Sequence, residues 1–228
     1  MTNNLKKKAV KIMDLLNGQY PEVKPALEYN SAFQLLISTI LSAQCTDERV
    51  NIVTKTLFKK YRSPRDFIDV SAEELEKEIY STGFYKQKTK SIKQCCIQLV
   101  ENHNGKVPND FSELNKLAGV GRKTASVVAG NAFGIPSIAV DTHVKRLSNL
   151  LGLVESNNPE KIEEELKKIL PESYWINSSH WLATHGRNVC IARRPKCFQC
   201  VLSDICPSYN ADSYMKYKNK KLKLDGMR

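Results

Sequence analysis

The sequence lacks any apolar run of the roughly 18 residues that a helix needs to cross a bilayer. Its first residues are polar and basic, without the apolar core of a secretory signal, so we expect a protein that is neither secreted nor embedded in a membrane. Runs of alternating apolar and polar residues, which would indicate β-strands, are also missing. Helix signals dominate instead, and N-cap residues predict helices that begin after Ser31, Thr46, Ser63 and Ser71. The predicted fold class is therefore all-α.

Acidic side chains are few relative to basic ones. The chain of 228 residues has 24 Asp and Glu against 35 Lys and Arg, which gives a net charge of +11 and a pI near 9.3. Hydrophobic residues make up 41%, as is typical of a soluble protein with one or two cored domains. The charge excess predicts an acidic polymer as partner, with nucleic acid favoured over an anionic membrane surface. For the basic C-terminal tail, with five lysines in 216–223, we expect a non-specific electrostatic role.

The seven cysteines are unevenly distributed. Three of them, Cys45, Cys95 and Cys96, lie in apolar segments and are expected to be small buried hydrophobes. The other four fall within residues 190–206 and are Cys190, Cys197, Cys200 and Cys206. Because a cytosolic chain does not rely on disulfides, thiols clustered in this way predict metal ligands.

The spacing of these four cysteines distinguishes two kinds of metal site. Six, two and five residues intervene between successive cysteines, so the loop has one Cys-x-x-Cys pair. Zinc sites commonly use two such pairs separated by a longer loop, whereas four thiolates in one compact loop suit a [4Fe-4S] cluster. We therefore favour the iron–sulfur cluster, with zinc as the alternative. Basic residues crowd the same region and indicate either a ridge that faces phosphates or a solvated charged surface. They are Arg187, Arg193, Arg194 and Lys196.

Two glycines one residue apart, Gly119 and Gly121, separate an apolar segment from an Ala/Val-rich one. This pattern predicts a helix, a tight turn and a second helix that runs to about residue 133, with both glycines able to adopt positive φ. The free N–H groups at the start of the second helix suit a phosphate. The spacing is not that of a Walker A loop, and a plain helix–helix connection is the alternative interpretation.

Lys123 and Asp141 are the chemically informative residues that follow this turn. Lys123 falls in the first turn of the second helix, where the helix dipole disfavours a cation, so it is either solvated or functional. Asp141, in the stretch Val140-Asp141-Thr142-His143, is placed to cap the next helix. His143 is expected to pack or to form hydrogen bonds.

The hairpin with Lys123, the aspartate at 141 and the cysteine loop together resemble the helix-hairpin-helix DNA glycosylases. The resemblance covers about residues 26–207. The stretch Leu41-Ser42-Ala43-Gln44-Cys45-Thr46-Asp47 is similar to the family's Leu-Ser-Ala-Gln-Ala-Thr-Asp, with cysteine in place of the second alanine. Gly83-Phe84-Tyr85 is similar to the family's Gly-Leu/Phe-Tyr turn.

This resemblance implies two helical domains flanking a DNA-binding cleft. One is a six-helix domain over 25–135 that holds the hairpin, and the other joins 1–24 to 136–228 and carries the [4Fe-4S] cluster. The partner implied is double-stranded DNA that contains damaged bases or abasic sites. The resemblance also implies a monomer in the cytoplasm of a prokaryote, associated with the nucleoid.

The reaction that the resemblance implies has two steps. After the target base leaves the duplex, Gln44 and Phe84 would fill the gap, although core packing is the alternative for Phe84. Lys123, with a pKa that we expect to be lowered by partial burial and by the helix N-terminus, would attack the sugar C1′ and remove an oxidised pyrimidine. β-Elimination would then cleave the strand 3′ to the abasic site. Asp141 would accept a proton or stabilise positive charge.

Further residues are implied in holding the DNA backbone. They are Gly119, Val120, Gly121, Arg122, Arg187 and Arg193. Two alternative functions stay open: a thymine or uracil mismatch glycosylase of the same superfamily, and a non-catalytic DNA-binding module that only grips phosphates. Lys123 argues against an adenine-removing relative, which lacks the hairpin lysine.

Overall fold

The computed structural model describes residues 3–209, so the predicted lysine-rich tail lies outside the described part of the chain. Residues 3–209 contain helices and turns and no β-strand, which confirms the predicted all-α class. None of the helices in this range is long and apolar enough to cross a membrane. Its α-helices are α1 (Asn3–Gln19), α2 (Ala32–Leu41), α3 (Asp47–Lys60), α4 (Pro64–Asp69), α5 (Ala72–Ile79), α6 (Tyr85–His103), α7 (Phe111–Lys116), α8 (Arg122–Phe133), α9 (Thr142–Leu150), α10 (Pro159–Ile169) and α11 (Trp175–Asn188).

Serine and threonine hydroxyl groups set the start of four of these helices. The hydroxyl groups of Ser31, Thr46, Ser63 and Ser71 each accept a hydrogen bond from the backbone N–H three residues later. At α4, the Asp66 carboxylate also accepts from the Ser63 N–H at 2.9 Å, which completes a capping box. The predicted starts of α2, α3, α4 and α5 are therefore confirmed, because capping depends on residues that are close in sequence.

The chain divides into two compact units. One consists of the described residues of Met1–Val23 and Val140–Arg228, and the other is Lys24–Ala139. Both this division and the boundary predicted after residue 135 fall in the loop that joins α8 to α9.

The unit Lys24–Ala139 is built around α2. Its seven helices are α2 to α8, where the resemblance implies six, and two of them, α4 and α7, have only six residues each. Residues 35–41 of α2 are all buried, because the helix packs against α3, α6 and α8. The sequence of a helix that is covered on all sides is a continuous apolar run and lacks a polar face. The segment after α2 and the segment before α6 both run from this core to the surface, where residues 43–44 and 83–84 are exposed.

The other unit contains α1, α9, α10, α11 and the cysteine loop. Helix α11 packs against α1 and α9. The Trp181 indole N–H donates to the Tyr20 carbonyl at 3.3 Å, and the Lys8 ammonium donates to the Leu151 carbonyl at 2.7 Å. These bonds join the N-terminal helix to segments more than a hundred residues later in the chain. The cysteine loop follows α11 directly and lies against α9.

Candidate active site and cysteine loop

The predicted helix, tight turn and second helix are present as α7, a turn at 117–121, and α8. Gly119 has φ +77°, and a Cβ built there would lie 2.8 Å from the Cβ of Ser91 on α6. Both the backbone conformation and the close approach of α6 therefore require glycine at 119. The Val120 N–H donates to the Leu117 carbonyl at 3.0 Å and closes the turn, so it is already engaged.

Gly121 does not use the conformational freedom that the sequence allows it. Its φ is −86°, in the extended region that any residue can adopt. It occupies the N-cap position of α8 without a side-chain cap, and a Cβ built on it would have open space around it. Neither backbone strain nor packing explains glycine here. The bare backbone instead leaves the N-terminus of α8 open to a ligand.

Arg122 and Lys123 form the first turn of α8, and both are exposed. The Arg122 guanidinium lies 5.4 Å from the centroid of the Phe111 ring, a cation–π distance. The expectation that Lys123 is partly buried is wrong for the chain by itself, because this turn faces solvent.

Asp141 is the N-cap of α9. Its Oδ1 accepts a hydrogen bond from the Val144 N–H at 2.7 Å, so the capping interpretation is confirmed. His143 packs against Gly186, where a Cβ would lie 2.7 Å from the imidazole Nδ1. Burial lowers the pKa of His143, and the cations of Arg187 and Arg146 lower it further, while the Asp141 carboxylate opposes the shift.

Gln44 and Phe84 share an uncommon backbone conformation. In residues 3–209, the non-glycine residues at positive φ are Gln44 (53°), Phe84 (49°) and Asn104 (52°). L-residues rarely adopt this region, and phenylalanine has no polar side chain to stabilise it. Phe84 is 63% exposed and Gln44 is also exposed, so the core-packing alternative for Phe84 is wrong. Both side chains are exposed, and both residues hold a strained backbone conformation, which often marks a functional position. Gln44 and Phe84 are called the two outward tips below.

The four clustered cysteines line one cavity of about 320 Å³, between α9, the end of α11 and the loop. Burial raises the pKa of the Cys190, Cys197 and Cys200 thiols, and neighbouring thiols of the group raise it further. No three or more His, Cys, Asp or Glu side chains of residues 3–209 are gathered closely enough to hold a single metal ion.

Polar groups lie beside two of these thiols. The Arg146 guanidinium donates to the Cys190 carbonyl at 2.7 Å and lies 3.6 Å from the Cys190 Sγ, and the Leu202 N–H donates to the Cys200 Sγ at 3.4 Å. The Nε2 of buried His185 lies 3.3 Å from the same sulfur. Sequence reasoning missed His185, whose signal, a histidine five residues before Cys190, is too weak to stand alone.

The predicted basic residues of this region lie at its surface. Arg187, Arg193, Arg194 and Lys196 are all exposed. Arg187 lies in the last turn of α11, and the other three lie in the loop between Cys190 and Cys197. The loop therefore combines an apolar, thiol-lined interior with a cationic exterior.

Comparison with known proteins identifies the class of this fold and site. Residues 37–172 match the HhH-GPD superfamily base excision DNA repair protein. The endonuclease III of Synechocystis sp. is 46% identical over 207 residues, which is 90% of this chain and 94% of that protein. A non-covalent endonuclease III–DNA complex matches with a TM-score of 0.88 and 42% identity, over 95% of this chain and 100% of that one. A trapped endonuclease III–DNA covalent intermediate, an estranged-adenine complex, matches with 0.86 and 43%, over 92% and 98%.

These matches place the chain among base excision repair proteins with a helix-hairpin-helix. Within that HhH-GPD superfamily, the chain belongs to the endonuclease III family. Membership confirms the predicted class of enzyme, a DNA glycosylase with lyase activity at abasic sites.

Proposed function

We propose that the chain removes oxidised or otherwise damaged pyrimidines from double-stranded DNA and cleaves the resulting abasic site, with Lys123 as the nucleophile. The observation that carries this proposal is an exposed lysine two residues after a glycine turn, at a helix N-terminus without a side-chain cap. The trapped covalent intermediate that a 43% identical endonuclease III forms with DNA supports it. We also infer a monomeric, cytoplasmic protein that is associated with chromosomal DNA.

The exposure of Lys123 fits a nucleophile that must reach a sugar on another molecule. Bound DNA would exclude water from the amine, and the amine acts as a nucleophile in its neutral form. The neutral nitrogen attacks C1′, the glycosidic bond breaks, and the base leaves with the bonding electrons and takes up a proton. Ring opening gives a Schiff base, whose C2′ proton is then lost as the C3′–O bond to the phosphate breaks. Water finally releases the lysine.

Asp141 is proposed to act on the same sugar. Its cap hydrogen bond occupies Oδ1 and holds the carboxylate in one orientation. A fixed carboxylate can accept the proton that the amine loses or stabilise the positive charge that develops at C1′. The cap and the chemistry therefore do not exclude each other.

The residues proposed to hold DNA fall into two groups. The open N-terminus of α8 and the exposed Arg122 would bind a phosphate at the hairpin, while Arg187 and Arg193 would bind phosphates at the cysteine loop. Within the turn, Gly119 and Val120 shape the backbone, since the Val120 N–H is engaged with Leu117. Phosphate contacts give affinity without sequence preference, so specificity would come from the lesion.

Gln44 and Phe84 are proposed to fill the gap that the extruded base leaves. Exposure and a fixed left-handed backbone support this role for both. One side chain offers an amide for the orphaned partner base, and the other offers an aromatic face for stacking.

A [4Fe-4S] cluster is proposed at the four cysteines. The four thiols line a single cavity, and their spacing in the sequence, with one Cys-x-x-Cys pair, favours a cluster over zinc. When bound, the cluster supplies four metal–thiolate bonds that cross-link the loop. The chain itself supplies the apolar walls and the exposed cations that this cross-linking would hold in place.

Borohydride trapping on a duplex with an abasic site tests the lysine assignment. We expect a covalent protein–DNA adduct with the wild type and none with Lys123→Gln. Lys116→Gln is a matched control, because Lys116 is an exposed lysine on the other side of the same turn, at the end of α7. An absence of adduct with all three proteins would contradict the proposal and favour a monofunctional mismatch glycosylase or a binding module. A panel of lesion duplexes then separates oxidised pyrimidines from uracil and thymine mismatches.

A further inference from the structure

Lys88 is a buried lysine that no part of the proposed reaction uses. It lies in the first turn of α6, and it is only 4% exposed. Burial lowers its pKa, an effect that the Cys45 thiol opposes. A lysine this deeply buried needs partners for its ammonium group, since an unpaired buried charge is strongly unfavourable.

The partners of Lys88 are two backbone carbonyl groups from separate parts of the chain. Its Nζ donates to the carbonyl of Leu41 at 2.7 Å and to the carbonyl of Thr82 at 2.8 Å. Leu41 is the last residue of α2, and Thr82 is the last residue of the 3₁₀ turn before α6. Carbonyl groups at a helix C-terminus lack partners within the helix and attract a cation.

The two carbonyl groups lie just before the two outward tips. Gln44 follows Leu41 by three residues, and Phe84 follows Thr82 by two. The backbone N–H of Lys88 also donates to the carbonyl of Phe84 itself at 3.0 Å. Lys88 therefore binds the backbone just before both strained residues.

We propose that Lys88 is a positioning residue that fixes Gln44 and Phe84 relative to each other, so that both enter the gap in the duplex together. This inference rests on the proposed function, which assigns the two side chains to the gap. If the two inserting side chains are already held in one arrangement, they lose less conformational entropy during base extrusion. The free-energy barrier of extrusion is then lower. Loss of the ammonium would leave two buried carbonyl groups unpaired and would let the two turns move independently.

Lys93 provides a matched control on the same helix. Its Nζ donates to the carbonyl of Phe67 at 3.0 Å and to that of Ile68 at 2.8 Å, near the end of α4. It is a second lysine that binds carbonyl groups, but none of them precedes a proposed gap-filling residue. Lys93→Met should therefore cost folding stability without affecting base extrusion.

The test compares the wild type with Lys88→Met, Lys93→Met and the double variant Gln44→Ala/Phe84→Ala. Single-turnover rates are measured on a base-paired lesion and on an abasic site, which has no base to extrude. We expect Lys88→Met to slow excision of the paired lesion by about tenfold while strand cleavage at the abasic site stays within about twofold. The fluorescence of 2-aminopurine opposite the lesion, which reports local unstacking, should rise less than with the wild type.

A second comparison distinguishes positioning from general destabilisation. If Lys88 acts through the two tips, Lys88→Met added to Gln44→Ala/Phe84→Ala should cause no further loss. Equal losses on paired and abasic substrates, or a full additive loss in the triple variant, would overturn the inference. Should Lys88→Met fail to fold, Lys88→Gln retains a polar donor, and the same comparisons apply.

The same set of variants shows whether the proposed function fails instead. Normal excision of the paired lesion by Gln44→Ala/Phe84→Ala would remove the gap-filling assignment itself. Slow excision by that double variant, together with wild-type excision by Lys88→Met, would remove only the role proposed for Lys88.

Discussion

Asp141 has two roles that one substitution can separate. Asparagine is as good an N-cap as aspartate, so Asp141→Asn should keep the free energy of unfolding within about 0.5 kcal/mol of the wild type. It removes the negative charge and the proton acceptor, so we expect single-turnover base excision to fall by at least about 100-fold. Urea unfolding, DNA-binding titration and excision kinetics on one lesion duplex measure the three quantities.

Asp141→Ala is the companion variant. It should lose the same activity and also about 1 kcal/mol of stability, because the Val144 N–H then lacks its cap. Excision by Asp141→Asn at the wild-type rate would show that Asp141 is only a cap.

Single residues also show where sequence reasoning ends. The identity of Gln44 and Phe84 as gap-filling candidates came from short motifs, but their left-handed backbone did not, because φ at a non-glycine residue is set by the surrounding turn. The exposure of Lys123 was predicted wrongly. A position in the first turn of a helix does not reveal whether another part of the chain covers it.

At the scale of elements, the two glycines of the hairpin should respond differently to alanine. Gly119→Ala places a Cβ 2.8 Å from Ser91 and forces an L-residue to φ +77°, so we expect it to lower the free energy of unfolding by at least about 2 kcal/mol. Gly121→Ala meets open space at φ −86°, so its stability should stay within about 0.5 kcal/mol of the wild type. Urea denaturation followed by circular dichroism measures both changes.

DNA affinity completes the hairpin test. A methyl group at Gly121 would lie at the open helix N-terminus, where a phosphate is proposed to bind, so Gly121→Ala should weaken binding to an abasic-site duplex. Wild-type affinity in this variant would argue against a phosphate at that position. Equal stability losses for the two glycines would contradict the turn geometry.

Helices were predictable where their signals are local. The caps at Ser31, Thr46 and Ser63 each involve residues three positions apart, and a single sequence contains that information. The bonds from Lys88 to Leu41 and Thr82 were not predictable, because they join segments whose approach depends on the packing of α2 and α6. The same holds for His185, which reaches Cys200 across the start of the loop.

At the scale of the whole molecule, the net charge and the family membership indicate the same kind of binding partner. The net charge of +11 predicted an acidic polymer as partner, and membership in a DNA repair family gives that prediction a specific form. Exposed basic residues lie both at the hairpin and at the cysteine loop, as Arg122, Arg187 and Arg193 show. Composition indicated the class of partner, whereas the residues that carry the chemistry required motifs and their spacing.

The seven cysteines of the chain should divide into four that bind iron and three that do not. We expect Cys200→Ser to lose iron, inorganic sulfide and the absorbance near about 400 nm that is typical of iron–thiolate ligation, together with much of the soluble yield. Cys45→Ser is the matched control, since Cys45 is a half-buried thiol of the other unit, outside the cavity, and it should retain all three signals. Metal analysis and absorbance of the anaerobically purified proteins measure the difference. Zinc without iron in the wild type would contradict the cluster.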